Sequence, residues 1–451
     1  MPMRLFPLLG LISAVFPALL HAQTVSSFTL ENGLQAVVIE DNRAPVVTHM
    51  LWYRVGAADE PPGKSGIAHF FEHLMFKPTA TRPDQDFSAV VESNGGDDNA
   101  FTAQDYTGYY QRVAADRLGL MMEMEADRMR NLVLSADNLA TERAVVLEER
   151  ALRTESEPGA LMGEARSAAL FMNHPYGIPV IGWRQEIEAL NVDDLRAFYS
   201  RYYAPNNAVL VVAGDVTPAE VEALARQYYG PLAPSTDIPP RIRPQEPPQL
   251  AARSLVFEDA RVANPYLVRI YLAPNRTSDT QKQAAALSLL SDLLGGAGIA
   301  SELGRSLQLD QEIALSTGAW YAGTSLDPNE FGLFVMPRPG TSLEEAEAAM
   351  DAVLARFMAE GVDETQLARV KATRLADEIY GMDDQLNLAQ TYGAALATGL
   401  TLADVAAWPE VLKSVTAADI LDAAALVLNK NASVTAYLTA PATPQTTEAT
   451  E

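Results

Sequence analysis

Apolar positions along the chain follow two periods. In SFTLENGLQAVVIED (27–41) and VVTHMLWYRVG (46–56) they alternate or cluster over short stretches rich in β-branched residues, which predicts strands. AVLVVAG (208–214) is apolar throughout, as a strand covered on both faces would be. In ADRLGLMMEMEADRMRNL (115–132) and KQAAALSLLSDLLG (282–295) the apolar positions continue over longer spans, which predicts helices. The strands gather toward the ends of two halves with long helices between them. That arrangement predicts α+β in preference to a doubly wound parallel sheet.

The halves are related. NVDDLRAFYSRYYAPNNAVLVVAGD (191–215) lies on TAADILDAAALVLNKNASVTAYLTA (416–440) at constant offset, with Asp194 on Asp419, Leu195 on Ile420, Asn206 on Asn431 and Val209 on Val434. Both copies predict an amphipathic helix, a polar turn with Asn and a strand. Between the halves, seven of the nineteen residues of PLAPSTDIPPRIRPQEPPQ (231–249) are proline. Proline fixes φ and removes a donor, so this segment is expected to be an extended linker. The expected organisation is a first half at 23–230, the linker at 231–249, a second half at 250–440 and a disordered tail at 441–451 (PATPQTTEATE).

The N-terminus adds one more segment. MPMRLFPLLGLISAVFPALLHAQT has a single Arg, an apolar run from Leu5 to Leu20 and then His21-Ala22, which predicts a secretory signal over residues 1–22. The run is short for a membrane span and holds Pro7 and Pro17, and no later stretch is long and apolar enough to cross a bilayer. The expectation is therefore a mature chain with no membrane segment. It has no cysteine, so disulfides are excluded and a metal site must use His, Asp or Glu. A secreted chain without cysteine fits the periplasm of a Gram-negative bacterium. The composition is that of a globular protein, 48% hydrophobic and 20% charged, and a net charge of -25 speaks against a nucleic-acid partner.

The candidate chemistry sits in GIAHFFEHLMF (66–76). Only five histidines occur in 451 residues, and two of them, His69 and His73, are four apart with Glu72 between. On a helix, residues four apart stack on one face, so the two imidazoles can point at one metal ion, and zinc suits them. Glu72, three residues from His69, can take a proton from a zinc-polarised water without being a ligand. The third ligand is expected in TERAVVLEERALRTESEP (141–158), which offers Glu142, Glu148, Glu149, Glu155 and Glu157. Glu142 and Glu149 are seven apart, on one helix face; the spacing leaves Glu148 open as well. Histidine pairs and acidic helices are commonly just solvated faces, but H-x-x-E-H is the inverted-zincin spacing. His49, alternating with apolar residues, is expected to be packed in its strand, and His174 in NHPYG to be a turn residue.

The chain resembles the pitrilysin, insulin-degrading enzyme and mitochondrial processing peptidase family of zinc peptidases. The resemblance rests on GIAHFFEHLMFKPTA, GGDDNAFTAQDYTGYY, ERAVVLEER and NHPYGIPVIGW, in the family's order. It implies two homologous α/β-roll halves, each an antiparallel-rich sheet covered by helices, together forming half of a clamshell chamber. It implies Zn²⁺ held by His69, His73 and Glu149 rather than Glu148, with Glu72 as general base and Glu142 as the auxiliary glutamate. It implies that Asn99, Ala100, Phe101 and Thr102 form an edge strand to which a peptide substrate adds by β-augmentation, Asn99 lying near the scissile carbonyl.

One part of the pattern is missing. The second half has no histidine, and where the family carries a substrate-binding arginine and tyrosine, SELGRSLQLDQEIALS (301–316) has Gln308 and Leu315. Gln has no charge and Leu no hydroxyl, and loss of a donor to an oxyanion typically costs about 100- to 1000-fold in turnover. In a shifted register Arg305 or Tyr321 could take the role. The resemblance implies a heterodimer, in which this chain carries zinc and a homologous subunit supplies the Arg/Tyr pair. The expected function is a zinc endopeptidase cleaving oligopeptides or unfolded segments. The competing expectations are a noncatalytic zinc-containing chamber or assembly subunit, and a metal-buffering or solute-binding protein.

Overall fold

A computed structural model describes residues 24–441. The expected signal segment 1–22 and residues 442–451 of the expected tail lie outside the described residues. Eleven strands form two sheets. The first contains β1 (Val25–Thr29), β2 (Gln35–Glu40), β3 (Val46–Tyr53), β4 (Asp97–Thr102), β5 (Thr107–Ala114) and β6 (Ala208–Gly214), in the order β1-β2-β6-β3-β5-β4. The second contains β7 (Arg253–Glu258), β8 (Tyr266–Ala273), β9 (Ala314–Tyr321), β10 (Asn329–Pro337) and β11 (Ser433–Thr439), in the order β7-β11-β8-β10-β9. All neighbours are antiparallel except β2 with β6 and β7 with β11. From β2 onward the two orders are the same, so the fold is α+β with two homologous halves.

The repeat read from the sequence is a repeat of structure. Helix Val192–Tyr202 leads into β6 as helix Ala417–Val427 leads into β11. Both begin with a capping box, Asn191 with Asp194 and Thr416 with Asp419, which satisfies the first N–H groups reciprocally. Each capping Asp also meets a lysine, Lys64 for Asp194 and Lys282 for Asp419, both at 2.8 Å. β6 is buried along its whole length because both faces of the first sheet are covered.

The covering helices cross between the halves. Helix Pro158–Leu170 lays Met162 and Leu170 on Val268, Ile270, Val434 and Ala436 of the second sheet. Helix Gln385–Ala397 lays Leu388, Ala389, Tyr392 and Leu396 on Val37, Ile39, Trp52 and Val211 of the first. At Gly393 a Cβ would stand 2.0 Å from Trp52 Cε2, so glycine is required for that approach. Each half thus completes the other's core. Residues 231–249 hold neither helix nor strand. Arg241 and Arg243 nonetheless reach into the boundary between the halves, where Arg243 is 7% exposed.

Candidate functional site

Helix Ile67–Leu74 starts where Gly66 turns the chain at φ 87°, a conformation for which glycine is suited. A side chain there would also strike Ile181 O. Gly66 has no side chain to cap the helix, and Glu60 does so instead, accepting from Gly66 N at 2.9 Å and Ala68 N at 2.8 Å. Ile67, Phe70, Phe71 and Leu74 go into the core. That apolar stripe turns His69, Glu72 and His73 away from it, the histidines toward helix Ala136–Arg150.

There His73 Nε2 lies 3.1 Å and His69 Nε2 3.5 Å from Glu149 Oε2. One donor atom from each of His69, His73 and Glu149 lies within 4.8 Å of the others. In a tetrahedral zinc site with bonds of about 2.0–2.2 Å, neighbouring donors stand roughly 3.3 Å apart, so the set fits that ion. Burial, and then the neighbouring His73, pulls His69 down to about 4, so its imidazole is neutral at pH 7 with a free lone pair. A neutral imidazole keeps one unprotonated ring nitrogen, and with that nitrogen turned to the cluster His69 and Glu149 both offer lone pairs to a cation. Glu148, left open by the residues, is exposed and outside this cluster.

Four supports surround the triad. Glu142, buried, places Oε2 3.7 Å from His73 Nδ1, on the ring nitrogen away from Glu149, and Lys77 pairs with its other oxygen. Arg153, largely exposed, holds Glu149 Oε1 at 2.7 Å and leaves Oε2 to the histidines. Thr102 Oγ1 donates to Glu72 Oε2 at 2.6 Å. Burial raises Glu72 above the usual carboxylate range, and this hydrogen bond works against the rise by favouring the charged form.

β4 is an edge strand of the first sheet, paired only with β5. The pleat divides the residues expected to meet substrate. Ala100 and Thr102 face the helix that carries Glu72, while Phe101 packs edge-on against Trp52 on the opposite face. Asn99 shares the Phe101 side of the pleat, and its Oδ1 accepts from Ala100 N at 2.8 Å. The structure thus brings Thr102 to Glu72 and aims the Asn99 side chain to the other face of the strand.

Of these supports the sequence indicated Glu142, and Thr102 only as part of the substrate strand; it did not single out Lys77 or Arg153. Arg153 follows Glu149 by four residues, the spacing of helix neighbours, and could have been found; Lys77 lies past the end of its helix and reaches Glu142 across the fold. Thr102 depends on how a strand packs on a helix, which local pattern does not contain.

The second-half candidates are occupied within that half. Gln308 Nε2 donates to Thr317 Oγ1 at 2.8 Å, Arg305 pairs with Glu302 at 2.7 Å, and Tyr321 donates to Pro274 O. Leu315 is exposed on β9, the edge of the second sheet that corresponds to β4. His49 is buried between Gln111 at 2.7 Å and Tyr229 at 2.9 Å. His174 caps a turn, accepting from Tyr176 N, and faces Asp327 of the second half at 3.2 Å.

Comparison with known proteins agrees with this geometry. Residues 36–183 match the model described as Insulinase (Peptidase family M16), and residues 189–374 the model described as Peptidase M16 inactive domain. The chain is 30% identical over 397 residues to zinc protease PqqE of Helicobacter pylori, covering 86% of this chain and 87% of that one. The crystal structure of a protease from Helicobacter pylori superposes with TM-score 0.86 at 28% identity, over 92% of this chain and 99% of that one. The first half of the periplasmic protease PqqL from Escherichia coli shares the fold, with TM-score 0.79 at 21% identity over 92% of both chains. Matched in both halves, and similar in sequence to a zinc protease over most of its length, the chain belongs to peptidase family M16.

Proposed function

We propose that the protein is a zinc-dependent endopeptidase. The observation that carries this is the convergence of His69, His73 and Glu149 within 4.8 Å, with the half-buried Glu72 carboxylate, on the same helix as the histidines, hydrogen-bonded to Thr102. Zinc bound there supplies Lewis acidity toward a carbonyl oxygen and toward water. Glu72 then accepts the proton of the attacking water and passes it to the leaving amine, which its raised proton affinity favours. Glu142 fixes the ring of His73. A peptide lies along β4, adding backbone hydrogen bonds to the strand's open edge.

The proposal extends to the assembly. Gln308 and Leu315 offer no charge or hydroxyl to an oxyanion, so a homologous subunit with an Arg/Tyr pair completes the site in a heterodimer. The N-terminal apolar run, read from the sequence as a signal segment, supports a periplasmic location for the pair; among the described residues no helix is long and apolar enough to cross a membrane. The same two residues favour a second reading, a noncatalytic zinc-containing chamber subunit.

Cleavage of a mixed quenched-peptide library by zinc-loaded chain 23–451 decides between them, run alone, with the homologous subunit, and with Glu72→Gln in place of wild type. The peptidase reading expects cleavage in the presence of the second subunit and none with Glu72→Gln. Zinc-loaded chain that cleaves nothing with either partner arrangement supports the noncatalytic reading.

A further inference from the structure

The proline-rich segment 231–249 could join the two halves with any polar side chains. It instead buries a guanidinium between them. Arg243 Nη2 donates to Asp59 Oδ1 at 2.8 Å, and Nη1 to Asp105 Oδ1 at 2.5 Å and to Asp327 Oδ2 at 3.0 Å. Arg241 gives a second fork to Asp59, at 2.9 and 3.2 Å, and reaches the backbone oxygen of Asp105 at 2.7 Å. Asp105 and Asp327 occupy equivalent places, the turn between β4 and β5 in one half and the turn between β9 and β10 in the other. Tyr176 ties them further, with its hydroxyl on Asp105 and under the N–H of Asp327. The N–H of Leu326, from the second turn, also donates to Asp105 at 2.9 Å.

Both carboxylates of the first half sit one step from the site. Asp59 is followed by Glu60, which caps the helix of His69, Glu72 and His73. Asp105 lies three residues past Thr102, which holds Glu72. The two paths are strapped together, since Ala57 N and Ala58 N donate to Ala103 O and Gln104 O of the same turn at 3.0 and 2.9 Å. Glu72 is therefore fixed from the start of its own helix and from the strand opposite, and both fixings end on the same two arginines.

We infer that Arg241 and Arg243, clamped by Asp327 of the second half, are positioning residues for the first-half site: they set the cap of the H-x-x-E-H helix and the turn of the strand that holds Glu72. This rests on the peptidase reading above. It also gives the second half, which holds no metal cluster among the described residues, a share in the chemistry, through Asp327 rather than through a catalytic group. Such geometry matters because a displacement of about 1 Å in a catalytic constellation can cost about 100-fold.

A buried ion network can also be purely structural, so the test compares two of them. Arg269 is also buried, pairs with Asp351 and Glu347, and has its partners wholly within the second half. Arg243→Lys and Asp327→Asn are measured beside Arg269→Lys in the mature chain, in whichever assembly cleaves peptide. Asp327→Asn is the milder variant, since Arg243 keeps Asp59 and Asp105. We expect kcat to fall about 10- to 100-fold in Arg243→Lys, and in the same direction in Asp327→Asn, with KM nearly unchanged. Arg269→Lys lowers Tm and leaves kcat alone. The visible spectrum of the Co²⁺-loaded chain, which reports ligand arrangement without turnover, shifts in Arg243→Lys and not in Arg269→Lys. Equal losses of Tm with unchanged kcat and unshifted spectra in all three overturn the inference. A wild type that binds Co²⁺ but cleaves nothing counts against the peptidase reading alone, and the spectra then decide this one.

Discussion

The two halves of the chain share a strand order and differ in what their facing helices hold. In the first, helix Ile67–Leu74 and helix Ala136–Arg150 bring two imidazoles and a carboxylate together. In the second, the corresponding helices are Gln281–Ser291 and Glu364–Gly381. The former is apolar along most of its length, and Arg374 of the latter closes on Asp292, just beyond it, at 3.0 Å. One pair of helices joins cation to anion; the other gathers three groups that can each offer a lone pair to a metal ion. The comparison teaches that a duplicated scaffold places a site without specifying one. The chemistry follows from the few side chains at the helix crossing, and the second copy remains necessary as packing, since each half lays a helix on the other's sheet.

The sharpest way to break this comparison is at Glu72. Glu72→Gln keeps every contact of the ligand triad and removes the base, so kcat is expected to fall by at least about 100- to 10,000-fold with zinc still bound. Steady-state cleavage with metal analysis on the same sample checks it. A smaller effect is expected at Glu142. Glu142→Gln retains the shape beside His73 but loses the charge, and competition with a chelator should show zinc affinity reduced about 10- to 100-fold. The corresponding change in the second half, Arg374→Met, should leave zinc affinity unchanged.

The helix exchange offers a comparison of stability. Gly393→Ala drives a Cβ into the ring of Trp52, and urea unfolding should show a loss of about 1–3 kcal/mol. Its counterpart in the reciprocal contact, Gly159→Ala, meets the hydroxyl end of Tyr266, which can swing aside. It should lose clearly less, and equal losses would mean the two exchanges are not built as described.

The smallest effect concerns the duplicated capping aspartates. Burial opposes ionisation of Asp419, but hydrogen bonds from Lys282 and Thr416 outweigh it and hold the carboxyl at about 2. An unfolded Asp titrates near 3.9, so this group's stabilisation is present above that value and is lost as pH falls toward 2. Urea midpoints at pH 5 and pH 3 should fall less steeply in Asp419→Asn than in wild type, by under about 1 kcal/mol.

Much of this was legible in the sequence because it is local. The H-x-x-E-H spacing puts two imidazoles and a carboxylate on one helix face, and the repeated Asn/Thr–Asp capping pairs mark the two helix–strand units. The choice of Glu149 over Glu148 needed the family resemblance, and the helix shows the reason: one residue along, the side chain has turned from the triad to solvent. What was not legible is long-range. Proline density marks 231–249 as extended, yet nothing in that stretch shows that Arg241 and Arg243 meet Asp59 and Asp105 far behind them in the chain. The helix exchange was hidden too, because the apolar residues of Gln385–Ala397 would suit either sheet. Asn99 and Thr102 belong to one short motif, and only the direction of the pleat tells which of them touches Glu72.

The zinc site proposed for the first half rests on His69, His73 and Glu149. Metal analysis of purified chain 23–451 tests it most directly, with wild type, Glu72→Gln and His73→Ala treated alike. One zinc per chain is expected in the first two and none in the third. Zinc retained by His73→Ala, or absent from wild type after loading, would contradict it.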